Sequence, residues 1–104
     1  MQFVIVAEHP PELCPSGNAK TRQMMNQGAK ELPDLAKKLG VKIITMNVYG
    51  PDHVILAVVE ATDIEAVRSF ILQSRLIQWN TTKIHATWSL EEALAKVNTL
   101  HTIF

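Results

Sequence analysis

The stretch VKIITMNVYGPDHVILAVVEA, residues 41–61, decides the fold. Residues 41–49 are dominated by β-branched and apolar side chains and read as a strand. Gly50-Pro51-Asp52 is a turn, and residues 53–61 form a second strand antiparallel to the first. That second strand is apolar on both sides, with Ile55, Ala57 and Val59 on one and Val54, Leu56 and Val58 on the other. A sheet with one face open to water should alternate apolar with polar residues, so both of its faces are expected to be covered.

Working outward, Thr62-Asp63-Ile64-Glu65 has the spacing of a capping box. It opens a helix to about Leu76 that buries Ile64, Val67, Phe70 and Ile71. KIHATW, residues 83–88, is a further strand, and Ser89-Leu90-Glu91-Glu92 is a second capping box that starts a short helix to about Val97. Upstream, QFVIVAE (2–8) is the first strand of the chain. HPPELCPSG follows as an ordered loop, because its prolines can neither donate to a ladder nor sit inside a helix. Asn18 or Ser16 then caps a helix that Gly40 ends, and its buried stripe runs Met25, Gly28/Ala29, Leu32, Leu35/Ala36, Leu39. Pro33 lies inside that helix and predicts a kink or two abutting helices. The tail NTLHTIF has neither cap nor period.

The order β-α-β-β-α-β has one economical solution under right-handed crossovers. It is the ferredoxin-like α+β fold, an antiparallel four-stranded sheet of order 4-1-3-2 with both helices on one face and a short C-terminal helix added. No element is left to cover the other face. A second copy of the chain is the simplest cover, which makes a homodimer the expected assembly.

ELPDLAKKLGVKIITMNVYGPDHVILAVVEATDIEAV, within about residues 29–67, resembles the GYD-domain family: a helix ending in Leu-Gly, a strand, a glycine turn, an apolar strand, Glu-Ala, and an acidic helix start. Gly50-Pro51-Asp52-His53 stands where that family has Gly-x-Tyr-Asp, with one residue added. The resemblance implies a dimeric α+β barrel, a superfamily of cofactor-free monooxygenases, isomerases, haem enzymes and ligand sensors. It implies no particular reaction and carries over no catalytic residues.

Composition narrows the classes further. A chain of 104 residues with 47% hydrophobic and 19% charged residues fits one globular domain spanning 1–104. Ten basic and ten acidic residues cancel, so no overall field favours nucleic acid or an anionic membrane. The basic residues of the first long helix read as a solvated face diluted by Glu31 and Asp34. The single cysteine, Cys14, allows no internal disulfide and no zinc site built on paired CxxC motifs. No apolar run reaches the roughly 20 residues of a membrane span. The cytoplasm is the expected location.

Topology brings the end of the first strand, the turn at residues 50–52 and the entry to the last strand to one rim. His9, Cys14, Tyr49, Asp52, His53, Trp79 and His85 are expected there. His9 and Cys14 share a proline-stiffened loop and could hold a transition metal or haem iron, with His53 or His85 as a third ligand. The structural alternative makes Cys14 a small buried apolar residue and His9 a hydrogen-bonded loop residue. Thr45, Asn47, Tyr49, His85 and Thr87 are expected on the partner-facing side of the sheet, and Ile44, Met46, Val48, Ile84, Ala86 and Trp88 on the helix side. Asn47, Tyr49 and Thr87, with Trp79, would orient a small molecule in an inter-sheet cavity, against the alternative of a wet interface edge. His85 and His53 are the acid/base candidates. Two functions remain open: a homodimeric protein binding a small molecule or a metal or haem cofactor, and a small cofactor-independent oxygenase or isomerase using a histidine.

Overall fold

In the computed structural model, which describes residues 1–104, alternating apolar side chains along Gln2–Glu8 form β1. A 3₁₀ turn at Pro11–Leu13 leads to α1 (Ala19–Leu39), followed by β2 (Lys42–Tyr49) and β3 (Val54–Glu60). Next come α2 (Ile64–Gln73), α3 (Leu76–Trp79), β4 (Thr81–Thr87) and α4 (Leu90–Val97). The sheet order is β2-β3-β1-β4 with every neighbouring pair antiparallel. This is the expected order 4-1-3-2 read from the other edge.

The core lies on the helix side of the sheet. Phe3, Ile5 and Ala7 of β1 and Ile55, Ala57 and Val59 of β3 point inward. They meet Ala36 of α1, Val67, Phe70 and Ile71 of α2, and Leu76 and Trp79 of α3. Side chains such as Phe3, Ile5, Val59 and Val67, at 2% exposure or less, each contribute about 1.5–3 kcal/mol by leaving water. The other face carries Val4, Val6, Val54, Leu56 and Val58, all half-buried.

The register of β2 differs from strict alternation. Ile43 pairs with Val59 and Thr45 with Val58, so Ile44 is the extra residue of a bulge. Ile43 and Met46 therefore pack on the core, while Ile44, expected inward, is left exposed. Val48 lies opposite inward-facing Ile55, yet it is 60% exposed at the sheet edge.

Helix ends follow capping chemistry, with two corrections. Asn18 accepts from the Thr21 N–H at 3.0 Å, and Gly40 closes α1 at φ 70°, a left-handed conformation that glycine takes without a Cβ penalty. The cap of α2 is Asp63 rather than Thr62, since its carboxylate accepts from the Ala66 N–H at 3.0 Å. α2 also stops at Gln73 instead of reaching Leu76. Arg75 takes φ 65° and breaks the helical path, and the following turn carries Leu76 and Trp79 into the core. β4 begins at Thr81, two residues before the expected start, because its ladder with β1 extends to Glu8–Thr81. Trp88 thus falls beyond the strand, exposed, with the Lys96 ammonium 4.8 Å from its ring centre. Ser89 caps α4 as expected, accepting from the Glu92 N–H at 3.1 Å. No helix is long and apolar enough to cross a membrane.

Pro33 sits on the exposed side of α1, which continues as one helix through it. Pro33→Ala restores an N–H for the Ala29 carbonyl without touching the core. A thermal melt should show the variant more stable by about 1 kcal/mol; lower stability would mean that the proline shapes the packing of α1.

Candidate metal centre

Three segments deliver the site. β1 ends at Glu8, and the next residue, His9, prolongs its pairing with β3 by one step: the His9 N–H donates to the His53 carbonyl at 3.1 Å. His53 closes the turn after β2, where its N–H donates to the Gly50 carbonyl at 3.3 Å. It sits at φ 57°, a left-handed conformation uncommon outside glycine and of the kind that gathers at functional sites. Cys14 follows the 3₁₀ turn and is held by its N–H to the Pro11 carbonyl at 3.1 Å. Its own carbonyl accepts from the N–H groups of Gly17 and Asn18. Arg22 then ties the loop to α1, donating to the carbonyls of Pro15 at 2.8 Å and Ser16 at 2.7 Å.

The result is a compact cluster. One donor atom from each of His9, Cys14 and His53 lies within 4.8 Å of the others. His9 and Cys14 are buried and His53 is half-buried. The His9 ring is 5.4 Å from the His53 ring, edge to face, and 5.1 Å from Trp79.

Asn80 sets the tautomer of His9. Its amide nitrogen donates to the Leu76 carbonyl at 3.1 Å, so Oδ1 faces His9 Nδ1 at 3.0 Å and accepts from it. The lone pair of a neutral ring is then on Nε2. That atom is buried with no hydrogen-bond partner, and so is Nδ1 of His53; no other buried side-chain nitrogen or oxygen of the chain lacks one. Leaving such a group unpaired costs about 1–3 kcal/mol.

Cys14 is tuned toward the thiolate. The Ser16 hydroxyl, 3.0 Å from Sγ, and the Ser16 backbone N–H hold its pKa below the ordinary thiol value, and His53 adds to the shift, while burial works against it. The combination of one low-pKa thiol and two imidazoles suits borderline and soft ions such as zinc and copper. The cavity touching His9 and Cys14 is about 180 Å³, below the usual ~300 Å³ lower bound of small-molecule pockets. Its size favours an ion over haem.

Of the other sequence candidates, Trp79 reaches the cluster through its contact with His9 and Asp52 shares the turn with His53, whereas His85, Asn47 and Thr87 lie away from it. His85 pairs with Val4 in the middle of β4, exposed, on the open face of the sheet and four residues in from Thr81. At about 3.3 Å per residue it is ~13 Å from the rim. Asn47 and Tyr49 share that open face and are exposed. Thr87 is at its far end, where its hydroxyl donates to the Gln2 carbonyl at 3.2 Å. Trp79 is buried on the helix side, so it is not grouped with Asn47, Tyr49 and Thr87. Asp52 is exposed in the turn. Sequence reasoning missed Asn80 and Ser16. Ser16, two residues from Cys14, could have been found as a local donor, whereas nothing in the chain links Asn80 to His9, 71 positions away.

No protein-family model matches the chain, and no curated protein matches it. Among solved structures, the de novo designed protein Ferredog-Diesel is similar, with a TM-score of 0.56 at 12% identity over 83% of this chain and 85% of that one. At that identity the likeness shows the ferredoxin-like fold alone.

Because the Cys14 pKa is lowered, thiolate absorbance should rise at a lower pH than for an unperturbed cysteine, whose reference value is 9.0. The depressed value contributes stability fully above the unfolded thiol pKa, and that contribution fades as pH falls through the folded one. Ser16→Ala removes the hydroxyl donor and should move the absorbance midpoint upward. An unmoved midpoint would assign the shift to the backbone and His53.

Proposed function

We propose that this protein binds one borderline or soft transition-metal ion through His9, Cys14 and His53, in a homodimer related to the dimeric α+β barrels. The observation that carries the metal reading is the pair of orphaned buried nitrogens, His9 Nε2 and His53 Nδ1, beside a low-pKa thiol. Elsewhere the chain satisfies its buried side-chain polar groups, and folded domains are stable by only about 5–15 kcal/mol. Two orphans at about 1–3 kcal/mol each are therefore a substantial expense unless coordination offsets it. Tetrahedral bonds of about 2.0–2.3 Å place donors nearer together than 4.8 Å, so binding draws the three side chains inward. Three protein ligands leave a coordination position open for a small molecule, unlike a closed structural site. Asn80 acts one step out, fixing the tautomer and orientation of His9 as carbonyl partners of metal-bound histidines do.

The dimer reading rests on the open sheet face. Val4, Val6, Val54, Leu56 and Val58 form its centre, with Gln2, Glu8, Thr45, Glu60 and Lys83 around them. The helices already cover Ile55, Ala57 and Val59, so a partner sheet would bury the opposite set. Asn47, Tyr49, His85 and Thr87 would then line that interface. Kinship with GYD-domain proteins belongs to the same proposal.

The second reading, a cofactor-independent oxygenase or isomerase, draws on one observation: Asn80 holds His9 in a single orientation with a free Nε2, as a general base requires. His9 and His53 serve it better than exposed His85.

Calorimetry of tag-free, chelator-treated protein should show one zinc or cuprous ion per chain. Cys14→Ala and His9→Ala should abolish stoichiometric binding, as should His53→Gly, which suits the left-handed backbone. Asn80→Ala should weaken binding by about 10–100-fold. Folded protein that takes up neither ion sinks the metal reading and leaves the general-base one.

Sedimentation at micromolar concentration should give a dimer, and Leu56→Lys should give a folded monomer, since a lysine at the centre of an apolar interface is buried without a partner. A wild-type monomer would overturn the dimer.

A further inference from the structure

A second, larger cavity of about 300 Å³ lies between α1, α3 and the β2 edge of the sheet. Val48, on the helix side but exposed, opens onto it. Met24, Met25 and Leu32 of α1 form one wall, Met46 and Val48 of β2 another, and Trp79 of α3 the third. No charged residue lines it. Its one polar side chain, Ser74, is already engaged, donating to the Ile71 carbonyl at 3.1 Å. Met25, Val48, Ile55 and Trp79 also line the smaller cavity at His9 and Cys14, so the two cavities adjoin.

We propose that this cavity binds a small, uncharged aromatic molecule beside the His9–Cys14–His53 cluster. The volume, at the low end of small-molecule sites, is too little for a docked helix or strand. The lining offers no counter-charge, and its only uncommitted polar groups are the Trp79 indole N–H and the Ser74 carbonyl, so a charged occupant would lose its hydration uncompensated. Three thioethers and an indole select among apolar ligands. Methionine sulfur makes favourable contacts with aromatic rings and its unbranched chain adapts to their shape, and Trp79 adds a ring edge or face. Binding in the cavity itself does not require the metal. Only the juxtaposition with an open coordination position rests on the metal reading, and it gives that reading a ligand class.

The test uses the full chain, chelator-treated, with Trp88→Phe so that Trp79 is the sole indole. Phenylnaphthylamine, a neutral fluorescent aromatic, should bind saturably at one site per chain, with energy transfer from Trp79. Naphthalene should displace it, and naphthoate should not. Gly28→Leu fills the cavity from α1. A Cβ there meets only the Ser74 carbonyl oxygen at an ordinary 3.7 Å, and replacing a helical glycine favours the helix. This variant should stay folded, keep its zinc affinity and lose about tenfold or more of its probe affinity, a change of ~1.4 kcal/mol. Cys14→Ala should lose zinc and keep the probe, so the two readings fail separately. The proposal is overturned by absence of saturable binding, by equal displacement with naphthoate, or by unchanged probe affinity in Gly28→Leu. Binding that appears only after residues 99–104 are removed would also overturn it, since the apolar tail would then be the occupant.

Discussion

β1 is the constraint on which everything else depends. It pairs with β3 along one edge and β4 along the other, and its inward side chains Phe3, Ile5 and Ala7 are the centre of the core. Both crossovers that bring these distant strands beside it are right-handed, which places their helices on the same face. The pairing does not stop at the strand's formal end. One more backbone bond, His9 N–H to the His53 carbonyl, fixes two imidazoles next to each other where the ladder opens into loops. The candidate site is therefore a consequence of sheet register, and a slip of one residue would separate its members.

The loop that brings the third donor is rigid for local reasons. Prolines at 10, 11 and 15 restrict the chain before folding begins, the 3₁₀ turn and the bonds to the Cys14 carbonyl fix its path, and Arg22 fastens it to α1. Rigidity lowers the entropy of assembling ligands, yet it also holds His9 Nε2 and His53 Nδ1 where no protein group satisfies them. Most proteins avoid such orphans. Here the cost falls on atoms that are themselves good metal donors, beside a thiol biased toward its charged form.

α1 and α3 connect this centre to the rest of the molecule. The helix-side edge of β2 is not covered, and the gap is lined by methionines and Trp79, the same indole that packs against His9. Arg75, in its left-handed conformation, makes this possible by ending one helix and starting a turn that directs Trp79 inward. One backbone torsion thus serves both the core and the two cavities. α4 takes no part: all its residues but Ala93 are exposed.

Element order, sheet order and most caps were legible in the chain, because hydrophobic period, glycine and proline positions and side-chain oxygens at helix starts act over a few residues. That is why Gly40 and Ser89 could be placed, and Asn18 named beside Ser16, before any contact was known. The pairing of His9 with Cys14 in one loop was legible for the same reason, and the topology offered His53 or His85 as the third member; the structure brings His53 to them. What the sequence could not set was register and direction. The bulge at Ile44, the early start of β4 that leaves Trp88 outside, and the break at Arg75 are compromises between local preference and a ladder or core formed by distant residues. For this reason His85 belonged to the open face rather than the rim, and Asn80, remote in sequence, became the partner of His9. Local chemistry determined which residues could form a site, and only tertiary packing decided which of them meet, because meeting depends on distances that no short stretch of chain encodes.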